Sequence, residues 1–149
     1  MIVAFLRPDS WSLPLFLHVL GATLLFGGTV TLTVLAVAAW RGTQSQLLSR
    51  LAFWTFLLVV VPAWILMRAG AQWIADKEFP SGTTPGWVDV GFAVSEPGLL
   101  ILIPLGILAW LSARRGGRGR LATAVVILSA IYIAALGVAW FAMSAKPGA

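Results

Sequence analysis

The sequence predicts an all-α integral membrane protein whose four helices form an up-down bundle, and three observations support this. First, 60% of the 149 residues are hydrophobic and only 10% are charged, against about 45–50% and about 25% in soluble domains. So few charges cannot cover a water-soluble globule of this size. Second, four apolar segments each reach the roughly 20 residues with which a helix crosses about 30 Å of hydrocarbon. Third, the chain lacks the runs of about ten alternating residues from which a membrane barrel is built. The length bounds the chain to a single four-helix domain, residues 1–149. There is no cysteine, so neither disulfides nor thiolate metal sites are available.

The first segment, PLFLHVLGATLLFGGTVTLTVLAVAAW, covers residues 14–40. It has no basic leader and no small-residue cleavage pattern, so it reads as a retained helix and not as a signal peptide. The second, LAFWTFLLVVVPAWILMRAGAQWIA, covers 51–75, and Pro62 inside it removes a helix hydrogen bond and predicts a bend. The third lies within VDVGFAVSEPGLLILIPLGILAWLSA, about 90–112, with a second bend expected at Pro104. Ser95-Glu96-Pro97 offers an alternative start for this helix at the interface, because proline favours the first helical turn. The fourth, LATAVVILSAIYIAALGVAWFAM, covers 121–143. Gly21, Gly28 and Thr31 form a small-residue stripe on the first helix, and Ala130, Ala134 and Gly137 form one on the fourth. Such stripes predict close helix packing where lipid gives no hydrophobic drive; a flat cofactor or a second subunit is the other occupant they would suit.

Basic residues orient the bundle. Arg41 and Arg50 lie between helices one and two, and Arg114, Arg115, Arg118 and Arg120 between three and four. The other side has Arg7, Lys77 and Lys146, together with Asp9, Asp76, Glu78 and Asp89. The positive-inside rule therefore predicts a multi-pass cell-membrane protein with arginine-bearing loops in the cytoplasm and both termini outside. Tryptophans fit this frame, since indoles favour headgroup depth. Trp11, Trp73, Trp87 and Trp140 fall near the outer interface and Trp40, Trp54 and Trp110 near the inner one, leaving Trp64 alone inside a span. The net charge of +5 is accounted for by arginines beside anionic headgroups, so the expected partners are the bilayer and a homo-oligomer or larger membrane complex, with no nucleic acid.

The polar residues within the spans carry the functional signal. His18, the single histidine, lies about one turn below the outer surface. Arg68 comes about two turns before helix two emerges, and Glu96 follows the start of helix three by a similar margin. Three helices thus deliver His18, Arg68 and Glu96 to similar depth, as a polar cluster in the outer leaflet. An ionisable group inside a span costs roughly 2.5–3.5 kcal/mol on insertion scales, so it usually faces the bundle and pairs. Arg68 could snorkel along Gln72 and Asp76, or pair with Glu96 and hold two helices together. His18 could serve as helix glue through one hydrogen bond, or as an axial ligand of haem b iron. In the second case Met143 or Met67 could supply a thioether, and Arg68 could pair with a propionate. A zinc or storage site would need three or four ligands that the sequence does not assemble.

The stretch LHVLGATLLFGGTV, a histidine opening the first helix and followed by a glycine pair, resembles the first helix of a family of small bacterial four-helix integral membrane proteins. The membrane domain of the copper-resistance protein D family and the membrane-bound bacterial protoporphyrinogen oxidase open in a similar way. The resemblance implies a bacterial inner-membrane location. In the haem-linked members it implies that the first-helix histidine ligates iron, a role only His18 could inherit. The lysine that the oxidases carry in the third helix has no counterpart here. Two function classes stand open: a non-enzymatic membrane subunit or small-solute-binding membrane protein, and a haem-binding or quinone-associated redox protein. No nucleophile or acid–base pair with a recognisable spacing names a catalytic residue.

Overall fold

The computed structural model describes residues 12–42, 44–79 and 83–145. Trp11, Arg7, Asp9 and Lys146, which entered the orientation argument, lie outside them. Four helices, each long and apolar enough to cross a membrane, make up the bundle: α1 (Ser12–Arg41), α2 (Ser45–Glu78), α3 (Gly86–Arg114) and α4 (Arg120–Ala145). In hydrocarbon every backbone N–H and C=O must be satisfied within the segment, which is why these apolar runs are helical from end to end. Threonines obey the same rule, the hydroxyls of Thr23, Thr29, Thr31 and Thr33 each donating to the carbonyl four residues back.

All four helices overrun the sequence-based bounds by one to six residues, because polar terminal turns continue a helix that hydropathy alone cuts off at the apolar edge. The largest overrun is the six residues at the start of α2, while α3 starts at Gly86 and carries both Pro97 and Pro104 in its interior. The alternative start at Ser95–Pro97 is therefore overturned. Its other end stops where glycine permits. Gly116 takes φ +85°, and the Gly117 N–H donates to the Ser112 carbonyl at 2.8 Å, the left-handed cap that releases a helix into a turn.

In α2 the expected disturbance at Pro62 takes a definite form. Residues Phe56–Val60 form one π-helical turn immediately ahead of it, widening the backbone where the proline ring would meet the carbonyl four residues back. Before that turn, Ser45–Thr55 packs against both α1 and α3; beyond it, Val61–Glu78 packs on α1 and its backbone has almost no contact with α3. The core runs along the bundle axis, with Leu25, Leu32, Val60, Leu105, Val125 and Tyr132 at its centre. The small-residue stripe of α1 packs as expected at Gly21 and Gly28, while Thr31 is exposed. That of α4 does not pack: Ala130, Ala134 and Gly137 all face outward, and the helix buries Ala122, Val125, Ser129, Tyr132 and Leu136.

Candidate functional site: a cavity at the terminal end of the bundle

The site begins with two glycines. A Cβ on Gly21 would meet the Met67 backbone N, with the Met67 Cα at 2.7 Å and the Ala63 carbonyl at 2.8 Å. A Cβ on Gly70 would lie 2.6 Å from the His18 N and 2.8 Å from the Pro14 carbonyl. Only hydrogens fit at these two places, so α1 and α2 cross with their main chains almost touching. That contact brings the His18 imidazole to α2, where Nδ1 lies 3.0 Å from the Met67 carbonyl oxygen. A carbonyl oxygen can only accept, so Nδ1 carries the proton and donates it.

The other ring nitrogen is left for something else. Nε2 has no hydrogen-bond partner among the described residues and is not fully buried. His18 forms part of the wall of a cavity of about 440 Å³ between the terminal halves of all four helices, within the roughly 300–1,000 Å³ of ligand sites. The cavity occupies the gap left where the second half of α2 parts from α3. Its walls are mostly apolar and aromatic: Val19, Ala22 and Phe26 from α1, Met67 and Ala71 from α2, Trp87 and Phe92 from α3, and Leu136, Trp140 and Met143 from α4. Phe26 and Trp140 meet edge to face at 5.8 Å, a favourable aromatic geometry. Glu78 and Ser144, near the ends of their helices, supply polar groups at the rim, and Ser95 supplies one deeper.

Arg68 is not in the wall. Its side chain turns to the α2–α3 side, where Nη2 donates to Glu96 Oε1 at 2.8 Å. Nη1 donates to Gln72 Oε1 at 2.9 Å, and Gln72 Nε2 donates onward to Asp76 Oδ1 at 2.7 Å. One guanidinium thus does both things expected of it, pairing with Glu96 and climbing a polar ladder toward the helix end. The pair is not buried: Arg68 is 22% exposed and Glu96 62%, so the carboxylate looks out from the bundle. The Arg68 guanidinium also covers the Phe92 ring at 4.8 Å, bracing that cavity wall from behind. One turn below, the Trp64 indole N–H donates to the Ser95 carbonyl at 3.1 Å and spans the same gap.

Of the residues singled out by sequence, His18, Met67 and Met143 meet in one cavity, and Arg68 and Glu96 meet beside it. His18 does not join the Arg68–Glu96 network; its partner is the carbonyl of the peptide unit immediately before Arg68. Gly70 and the cavity residues Ala71, Gly91 and Phe92 were missed. For Gly70 a signal existed, since a glycine inside an apolar helix often marks a close approach of another backbone. Trp87 and Trp140 were read only as interface anchors, and they also line the cavity. Among the described residues no group of three or more His, Cys, Asp or Glu side chains could hold a metal ion.

No protein-family model matches the chain, and neither a curated protein nor a solved structure shows significant similarity to it. Nothing in these comparisons links the chain to the haem-linked membrane families that LHVLGATLLFGGTV led us to expect.

Proposed function

We propose that this chain is a membrane protein that binds a small, mainly apolar molecule in the cavity at the terminal end of its bundle, with His18 as the polar anchor. The observation that carries this reading is the imidazole itself, pinned through Nδ1 to Met67 and set in the wall of about 440 Å³ of mostly apolar space. A ring nitrogen left without a partner in an apolar site is costly; one hydrogen bond from a bound molecule to Nε2 removes that cost. With the arginine loops in the cytoplasm, the cavity belongs to the outer leaflet, where lipid-soluble molecules partition.

The test uses naphthalene-ring probes, 2-naphthol and 2-methoxynaphthalene, on protein purified in detergent. Saturable binding is expected in wild type, and it should be lost in Ala71→Phe, where an added ring fills the cavity, but retained in Ala130→Phe on the outward face of α4. Binding unaffected by Ala71→Phe would refute the reading.

A second reading rests on Met67 and Met143 sharing the cavity with His18. A backbone carbonyl that fixes the Nδ1–H of a histidine is also how axial imidazoles are oriented, and a methionine is the usual second haem ligand in cytochromes c. Visible absorption of protein expressed with added haem separates the two. The first reading expects no Soret band; a band present in wild type and absent in His18→Ala would replace it with haem ligation.

A further inference from the structure

We infer that the molecule taken up by this cavity carries a ring hydroxyl, as a phenol or aromatic alcohol, and that His18 Nε2 selects it by accepting that hydroxyl's hydrogen bond. The inference rests on the small-molecule reading above and adds the chemical class of the ligand.

The argument starts at the acceptor on α2. Because the Met67 carbonyl has no proton to give, the bond at 3.0 Å puts hydrogen on Nδ1, and in the neutral ring the lone pair then lies on Nε2. A neutral imidazole held this way is an acceptor toward the cavity. A ligand group that only accepts, such as an ether or a ketone, would face it lone pair to lone pair. A hydroxyl satisfies it. Charged ligands are disfavoured at both ends of the site. Glu78 at the rim repels a carboxylate or phosphate, and an ammonium would have to leave water for the apolar walls around Val19 and Ala22.

The rest of the wall says what carries the hydroxyl. Phe26, Trp87, Phe92 and Trp140 surround the space, and aromatic side chains favour a ring through edge and offset contacts. From Leu15 to Phe26 the cavity follows α1 over eleven residue steps, about 16 Å at a rise of about 1.5 Å each. His18 lies in the rim-side third. A ligand that anchors there by its hydroxyl extends its apolar body inward, toward Phe26 and Leu136.

The same two probes decide the matter, because they share a ring and differ in one donor. In wild type, 2-naphthol should bind about five- to tenfold more tightly than 2-methoxynaphthalene, the increment of one buried neutral hydrogen bond. In His18→Phe the preference should vanish while both probes still bind. A variant that fails to fold does not leave the question open, because the chain has one histidine. Protein labelled with ¹⁵N-histidine and purified through a histidine-free tag gives a single Nε2 resonance. That resonance should shift with 2-naphthol and stay unmoved with the methyl ether. Equal affinities, or an Nε2 signal that ignores 2-naphthol, would overturn the hydroxyl inference while leaving the cavity reading intact. Failure of both probes to bind would overturn the two together.

Discussion

Gly21 and Gly70 stand opposite each other where α1 crosses α2, and the position of His18 depends on both. An alanine methyl at Gly70 would press on the main chain of His18 and Pro14, where nothing flexible can yield, so Gly70→Ala should cost about 1–3 kcal/mol, as overpacking does. Gly27 is the control. It is exposed, with nothing within 4 Å of an added Cβ, and Gly27→Ala should gain about 0.5–1 kcal/mol from helix propensity. Thermal unfolding in detergent should therefore shift down for one and up for the other; parallel shifts would show that the close crossing is not what Gly70 serves. At this scale the sequence was informative about charge and silent about acceptors. Arg68 and Glu96 could be matched in depth because helical rise is fixed and lipid makes unpaired charge expensive. The partner of His18 could not be read, since every residue on the facing helix offers a carbonyl.

The decisive element is α2. A π turn takes i→i+5 hydrogen bonds, one residue more than an α turn, so Phe56–Val60 absorbs a single extra residue and turns the second half of the helix relative to the first. The first half can thus serve α1 and α3 together, while the second serves α1 and leaves α3 at a distance bridged by Trp64 and Arg68. Removing Leu58, 65% exposed in that turn, should convert it to regular helix while Met67 and Gly70 keep their places. Removing Leu66 instead would rotate both by about 100° and shift them 1.5 Å. Probe binding and the histidine ¹⁵N signal should survive the first deletion and disappear in the second; the reverse order would contradict this account of the turn. Pro62 announced a disturbance in this helix but not its kind, because proline fixes which hydrogen bond is lost and not how neighbouring residues redistribute the rest. The start of α3 was ambiguous for a related reason: Pro97 is compatible with a first turn and also with a lipid-embedded helix interior.

For the whole molecule, four spans and an up-down order were legible because the bilayer sets a length and the short loops force neighbours together. The cavity was not, since it arises where two helices fail to touch, and that depends on relative rotation, which composition does not record. Orientation rests on the arginines and is open to direct measurement. A cysteine at Gln46, exposed at the arginine-loop end, should react with a membrane-impermeant thiol reagent only after cells are opened. One at Gly86, exposed with open space around it, should react in intact cells. The opposite pattern would place the cavity in the cytoplasmic leaflet.

At the arginine-loop end, Arg118 donates through Nε to Ser45 Oγ at 2.9 Å and through Nη2 to the Gly42 carbonyl at 3.0 Å. Gly117, at φ +74°, lies so close to the Ser45 carbonyl that no side chain fits between them. The two loops are thereby riveted to one another, while the far ends of the helices stand around empty space. Local opening in proteins follows the distribution of packing, so thermal breathing in this bundle has a fixed pole and a free one. Backbone amides beside the rivet should exchange with deuterium last and those around the rim first. If the cavity takes up a guest as proposed, no separate moving part is needed to admit it: the ordinary fluctuation of four rods clamped at one end is already a mouth.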